Sequence, residues 1–183
     1  MSGRGRRTKL LRMRTGVLLP SSVGTSSRDL VGWARRAEDL GFDSLGVPGR
    51  IMHDSLEPLV ALSLVAASTR RIELFLHLPT PSLARPRILA RQIAGLERAS
   101  RGRLTVAFGG SVDDTWIFTG RDGCTHCVTV VHVRGSEGPE LDAARYDLDD
   151  FLRAGADEVL LSPASADLRA LETLAGLRNP AFV

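Results

Sequence analysis

The 183-residue sequence has few cysteines, few aromatic residues and no long apolar run. Two cysteines do not suggest a disulfide framework, and one tyrosine with two tryptophans gives no aromatic platform for single-stranded nucleic acid. No segment approaches the roughly 18 apolar residues that a membrane helix requires. A Walker loop, a Ser-His-Asp arrangement, a His-Glu-x-x-His motif and a Gly-x-Gly-x-x-Gly motif are also missing. These absences favour a cytoplasmic protein that binds neither membranes nor nucleic acid.

Positive charge is concentrated at the start of the chain. Residues 1–14 contain six basic residues and no acidic one, which leaves 18 basic against 21 acidic residues in the remainder. The net charge of +3 and the pI near 9.5 therefore come from a basic tail and not from a basic face. This run predicts a disordered tail over residues 1–14 and a single domain over residues 15–183. The short apolar run that follows ends at Pro20, sooner than a signal peptide allows.

The sequence from Arg28 to Gly110 alternates between helix and strand patterns. A Ser-x-x-Asp capping box begins at Ser26, and Gly41 follows the first apolar helix stripe as a residue free to adopt a positive φ. Such alternation is typical of parallel β/α units, which gives an α/β fold class. The predicted strands are residues 15–20, 42–47, 72–78 and 104–108, and the predicted helices start at Ser26, Ser55 and Pro86.

After Gly110 the pattern changes. A short apolar segment at Trp116–Phe118 is a further candidate strand, and the β-branched residues of Val128–Val133 predict a clear one. A helix with acidic residues on its outer side, a strand at Glu158–Ser162 and a closing helix follow. The count is therefore six or seven strands, in a chain that is short for an eight-stranded barrel of roughly 250 residues.

Several segments resemble one known family in order and spacing, and the longest is the most specific. These segments are Gly16–Pro20, Ala37–Val47, Glu57–Leu62, Ser68–Leu74 and Leu89–Leu104, with a weaker match at Ala154–Leu161. They resemble the luciferase-like, flavin-dependent monooxygenases and oxidoreductases, which include users of FMN and of the deazaflavin F420.

The resemblance implies an incomplete TIM-type (β/α) barrel that holds a flavin at the C-terminal ends of its strands. It also implies a large internal deletion after the fourth strand, between about Asp114 and Trp116. Such a deletion leaves an unpaired strand edge unless the chain closes with fewer strands or pairs with a second copy. Family members are often dimers, so a homodimer is a further expectation.

The same resemblance assigns cofactor contacts to two neighbouring strand ends. His77 and Leu78 end the third strand, and Gly109 and Gly110 follow the fourth, where glycine lets backbone approach a ligand closely. For His77 the other interpretation is a loop histidine with a local hydrogen bond, and for the glycine pair it is a plain turn. The implied cofactor is FMN or F420, with NAD(P)H as a possible reductant.

The loop after the second strand is the predicted substrate side. Arg50 and Asp54 are predicted to contact the substrate, and His53 is the predicted catalytic residue. Gly49 stands where relatives carry an acid, and His53 is the residue that would replace it, because imidazole titrates near neutrality.

Cys124-Thr-His-Cys127 is the sharpest local motif outside these segments. A Cys-x-x-Cys pair is either a redox pair or half of a zinc site, or the two thiols are incidental. The sequence has no second pair, and the motif precedes a predicted strand, whereas thioredoxin-like sites precede a helix. Incidental thiols in a loop are therefore favoured, and no metal site is expected.

The resemblance thus predicts a flavin- or F420-dependent oxidoreductase or monooxygenase that acts on a small organic substrate. The alternative is a non-catalytic remnant, either flavin-binding or purely structural. A third hypothesis, an interaction protein that uses its basic tail, ranks below both.

Overall fold

The fold is taken from a computed structural model of the chain. The structure describes residues 13–20, 26–47, 56–78, 85–108, 115–119, 125–133, 139–163 and 165–177. Within these ranges, no helix is both long enough and apolar enough to cross a membrane.

The described residues form seven strands and five helices. The strands are β1 (Arg14–Leu18), β2 (Ser44–Val47), β3 (Glu73–Leu78), β4 (Leu104–Phe108), β5 (Thr115–Thr119), β6 (Thr125–His132) and β7 (Glu158–Ser162). The helices are α1 (Ser27–Asp39), α2 (Pro58–Ser68), α3 (Pro86–Ala99), α4 (Pro139–Ala154) and α5 (Leu168–Gly176).

All seven strands belong to one curled sheet with the order β4-β3-β2-β1-β7-β6-β5. Neighbouring strands are parallel except for β5, which pairs antiparallel with β6. The two edge strands β4 and β5 approach within 8 Å at Cα atoms, but no hydrogen-bonded ladder joins them. The predicted incomplete β/α barrel is therefore confirmed, with six parallel strands and one antiparallel edge strand.

The sheet has two differently packed faces. Its outer face meets the helices in the main core, where Trp33, Leu62 and Leu171 pack on strand residues such as Leu45 and Leu74. Its inner face carries a second and smaller apolar cluster, the inner cluster, formed by strand residues alone. The inner cluster consists of Leu18, Phe75, Ala107, Val128, Val130 and Leu160.

Helix starts follow from local sequence. Ser26 caps α1 as predicted, and its capping box with Asp29 is complete. Pro86 begins α3, where its missing N–H costs nothing. The cap of α2 is Glu57, whose carboxylate accepts a hydrogen bond from the Val60 N–H at 3.0 Å. Ser55, the predicted cap, lies outside the described residues.

Two predicted boundaries differ from the structure. Arg14, assigned to the basic tail, begins β1, because its guanidinium lies beside Glu73 and Glu158 on neighbouring strands. Residues 1–12 lie outside the described residues, so the tail stays a prediction for them. Strand β6 begins at Thr125 and not at Val128, because β5 pairs along its first residues, and Cys127 therefore lies within the strand.

Candidate functional site

The inner face of the sheet has an apolar floor. Strand residues alternate between faces, so Leu18, Phe75, Val130 and Leu160 extend from four strands towards the same side. A Cβ at position 46 would lie 2.7 Å from Leu18 Cδ2 and 3.1 Å from Leu160 Cδ1, so a larger residue there would require these leucine side chains to shift. The floor is thus close-packed and formed by aliphatic and aromatic side chains.

His77 lies beyond this floor at the C-terminal end of β3. It follows Phe75 by two residues, so it shares the inner face, and its register partner on β4 is Ala107 of the inner cluster. His77 is 6% exposed although it is close to the end of its strand. The structure thus puts a buried imidazole at the predicted end of the sheet, in a strand and not in a loop.

Leu78 is on the other side of β3. Its side chain is partly buried against the main core, beneath the helices, so the structure does not bring it together with His77. Strand alternation explains this, since adjacent residues face opposite ways. The cofactor contact assigned to Leu78 stays a prediction that only its backbone can satisfy.

A second polar group lies at the C-terminal ends of β6 and β7. His132 and Ser162 are register partners there, and both follow inner-cluster residues by two positions. Parallel neighbours are about 4.8 Å apart, so the imidazole and the hydroxyl lie side by side. This pair was not predicted from the sequence, although the two-residue alternation of strands, counted from Val130 and Leu160, indicates it.

The remaining predicted site residues lie outside the described residues. These are Arg50, His53, Asp54, Gly109 and Gly110. The strands that precede them, β2 and β4, flank β3, and each ends at the same edge of the sheet as His77. Their roles in catalysis, substrate binding and cofactor binding stay predictions.

The N-terminal ends of the strands carry an ionic cluster instead, in which Glu158 is buried while Arg14 and Glu73 are partly exposed. Arg14 contacts Glu73 at 2.8 Å and Glu158 at 3.8 Å, and the Ser44 hydroxyl donates a hydrogen bond to Glu158. Burial raises the pKa of Glu158, and Arg14 and Ser44 only partly oppose this. Residues at this end of a β/α barrel stabilise the fold, while ligands bind at the other end. We therefore assign this cluster to stability.

Two segments of the family resemblance, Ala37–Val47 and Leu89–Leu104, each contain a residue with a structural role. Glu38 accepts hydrogen bonds from the backbone N–H groups of Arg70, Arg71 and Ile72 at 2.6–2.9 Å. Arg103 donates to the carbonyl oxygens of Ala66 and Ile72 at 3.0 and 2.7 Å. Both residues connect the end of α2 to its neighbours, away from the C-terminal ends of the strands.

Cys127 has no feature of a reactive thiol. Burial raises its pKa, and Asp157, which accepts a hydrogen bond from the Cys127 N–H at 2.8 Å, raises it further. A thiol with a raised pKa stays protonated at neutral pH and is a poor nucleophile. Cys124 lies outside the described residues. In the described part of the chain, no group of three or more His, Cys, Asp or Glu side chains is placed to hold a metal ion.

Comparison with known protein families identifies the family of this chain. The model of the luciferase-like monooxygenase family matches residues 13–122, which is more than half of the chain. The chain belongs to the luciferase-like monooxygenase family. No curated protein matches the sequence.

Solved structures agree with this family fold. An F420-dependent secondary alcohol dehydrogenase in complex with an F420–acetone adduct is 13% identical, with a TM-score of 0.65 over 94% of this chain and 99% of that one. At this identity the likeness concerns the fold alone. Monooxygenase RslO1 from Streptomyces bottropensis is 30% identical over 55% of this chain, with a TM-score of 0.48.

This family member is short beside several of its structural neighbours. It spans 34% of the length of RslO1 and 28% of that of the coenzyme F420-dependent tetrahydromethanopterin reductase from Methanopyrus kandleri. The second of these is 24% identical over 55% of this chain, with a TM-score of 0.47.

The side chains of the inner face have the chemistry that suits the ring portion of a flavin-type cofactor. Such a ring is flat and largely apolar, with hydrogen-bonding atoms along its edges. Leu18, Phe75 and Leu160 offer an apolar support, and the buried imidazole of His77 offers a hydrogen-bonding group beside it. The residues predicted to approach the rest of the cofactor, Gly109 and Gly110, lie outside the described residues.

Proposed function

We propose that this chain is a flavin- or F420-dependent oxidoreductase that acts on a small organic substrate. The observation that supports it is the buried His77 beside an apolar floor, at the strand ends where β/α barrels bind ligands. The bound cofactor would supply the hydride or oxygen chemistry, as cofactors do in such enzymes. The family membership agrees with this proposal, and so does the likeness of the fold to an F420-dependent secondary alcohol dehydrogenase.

The chain's own residues have three tasks in this proposal. The inner cluster supports the ring and excludes water from one of its faces. His77 holds the ring edge through a hydrogen bond, which fixes its rotation in the site. His132 and Ser162, on the far side of the same opening, face the substrate and orient its polar group. His53 stays the proposed catalytic residue, with Arg50 and Asp54 as substrate contacts.

Titration with FMN and with F420, followed by fluorescence, tests the cofactor part of the proposal. We expect saturable binding of one of the two, and His77→Phe should weaken it about tenfold, the loss of one good hydrogen bond. His126→Phe is the matched control, because His126 lies on the inner face of β6 at the opposite end of the sheet. No binding of either cofactor, or equal effects of the two variants, would contradict the proposal.

A non-catalytic remnant that still binds flavin is the second candidate. It is supported by the six-residue link between β4 and β5, because the earlier parallel strands are each followed by a helix. Turnover separates the two candidates. An enzyme loaded with FMN should lose its flavin absorbance when NADH or NADPH is added without oxygen, and it should regain it with air or substrate. Flavin binding that is not followed by reduction with NADH, with NADPH or with a reducing substrate would favour the remnant.

A further inference from the structure

Two turns at the N-terminal end of the sheet lie against each other. One turn, residues 69–72, joins α2 to β3, and the other, residues 100–103, joins α3 to β4. Arg103 holds them together, because its guanidinium donates to the carbonyl oxygens of Thr69 and Ile72 at 3.2 and 2.7 Å. The exposed side chains of both turns therefore belong to one surface, at the end of the sheet opposite to His77.

Exposed arginines cluster on these turns and in the last helical turn before the second one. They form the arginine surface, which consists of Arg70, Arg71, Arg98 and Arg101. Within the described residues, none of these four side chains forms an ion pair. The carboxylate of Glu38 lies near Arg71, but it accepts the backbone N–H groups of the first turn, and Glu97 accepts the Leu104 N–H at 3.3 Å. The arginine surface therefore carries an excess of positive charge.

Arg101 has a backbone conformation that favours glycine. Its φ is +58°, the only positive φ of a non-glycine residue in the described part of the chain. Its N–H donates to the Arg98 carbonyl oxygen at 3.1 Å, so the left-handed residue ends α3. A residue with a Cβ is strained in this conformation, and glycine is not. No described contact of the Arg101 side chain offsets that strain, so a contact outside the chain would account for an arginine here.

Charge is unevenly distributed between two parts of the barrel. Residues 56–108, which include α2 and α3, contain eight arginines and three acidic residues, whereas residues 139–177, which include α4 and α5, contain three arginines and nine acidic residues. A long polyanion such as duplex nucleic acid extends beyond the basic part, and the acidic part repels it. A short acidic segment can remain within the basic part, so the distribution of charge favours a short ligand.

We propose that the arginine surface binds a short acidic segment of another protein through its aspartate and glutamate carboxylates. The planar guanidinium of arginine pairs with a carboxylate through two parallel hydrogen bonds, so a group of arginines recognises such a segment. Complementary charge speeds association and makes it sensitive to salt. The contact lies at the end of the sheet opposite to the candidate site, so the acidic segment leaves the opening beside His77 uncovered.

Fluorescence anisotropy of a labelled oligoglutamate peptide, titrated with the full chain, tests this surface. We expect saturable binding at low ionic strength that weakens as salt is added. Arg70→Gln with Arg101→Gly should weaken it about tenfold, the loss expected when a charge-assisted hydrogen bond is removed. Glycine is unstrained at a positive φ, so Arg101→Gly alone should unfold at the same temperature as the wild type or higher.

Arg145→Gln with Arg169→Gln is the matched control, since it removes the same charge from exposed positions of α4 and α5. This control should bind the peptide as the wild type does. A wild type that does not bind the peptide, or equal losses in the two double variants, would overturn the proposal. So would a short DNA duplex that binds more tightly than the peptide and needs Arg70 and Arg101. A lower unfolding temperature for Arg101→Gly would show that the arginine side chain serves the fold instead, and would also overturn it.

Discussion

The carboxylate of Glu38 accepts the backbone N–H of Arg71 at 2.6 Å, which joins the end of α1 to the turn before β3. Two further N–H groups of the same turn, those of Arg70 and Ile72, point at this carboxylate. One side chain of α1 thus accepts hydrogen bonds from three backbone N–H groups that precede β3. The carboxylate of Glu38 therefore stabilises this turn.

Replacing Glu38 should destabilise the fold. In Glu38→Ala the three N–H groups lose their partner, and we expect the free energy of unfolding to fall by about 1–3 kcal/mol. Urea denaturation followed by circular dichroism measures this. Asp39→Ala is the control, because Asp39 is exposed at the next position of the same helix. Equal losses in the two variants would contradict the assigned role.

The same carboxylate makes stability depend on acid pH. Burial alone would raise the pKa of Glu38, but the three backbone hydrogen bonds outweigh it and hold the pKa below its ordinary value of 4.5. Its contribution is therefore complete above about pH 4.5 and is lost as the pH falls through the folded-state pKa. Urea midpoints between about pH 3 and pH 7 should fall at the acid end in the wild type, and less so in Glu38→Gln.

The contribution of Glu158 to stability should have the opposite pH dependence. Burial raises its pKa above 4.5, so its contribution is present below about pH 4.5 and is lost as the pH rises through the folded-state pKa. Relative to the wild type, Glu158→Gln should therefore gain stability as the pH increases, because glutamine does not ionise. Denaturation at several pH values above 5 measures the difference, with Glu73→Gln as a control on the half-exposed partner of Arg14. A difference that does not change with pH would contradict this prediction.

Substitution by alanine should change the free energy of unfolding in opposite directions at Gly16 and at Gly32. At Gly16 a Cβ would lie 2.6 Å from Leu160 Cδ2 and 3.0 Å from the Ser44 carbonyl oxygen, so Gly16→Ala should cost about 1–3 kcal/mol through overpacking. At Gly32, within α1, no atom lies within 4 Å, and Gly32→Ala should stabilise by about 0.5–1 kcal/mol. Thermal unfolding of both variants tests the pair, and a stable Gly16→Ala would show that the inner cluster can rearrange.

Arg103 should not tolerate lysine. Its planar guanidinium contacts Thr69 Oγ1 at 3.0 Å while it donates to the carbonyls of Ala66 and Ile72, a set that one ammonium group cannot reproduce. We expect Arg103→Lys to lower the free energy of unfolding by about 1–3 kcal/mol. Arg101→Lys, at an exposed neighbouring position, should change little in the same urea titration.

The amino-acid sequence by itself determined the elements from β1 to β4. Apolar spacing, the Ser26 cap and Pro86 act within one or two turns of chain, so they need no knowledge of distant contacts. The same local rules placed His77 at a strand end. The antiparallel direction of β5 was not predictable in this way, because it depends on pairing with β6.

Only the tertiary structure decided which residues share a face and an end of the sheet. The register of β6 on β7 puts His132 beside Ser162, and alternation turns Leu78 away from His77. The same packing places Arg14 between Glu73 and Glu158, more than fifty and more than a hundred residues away in sequence. Such contacts are fixed by the order and register of strands, which the local composition of a segment does not encode.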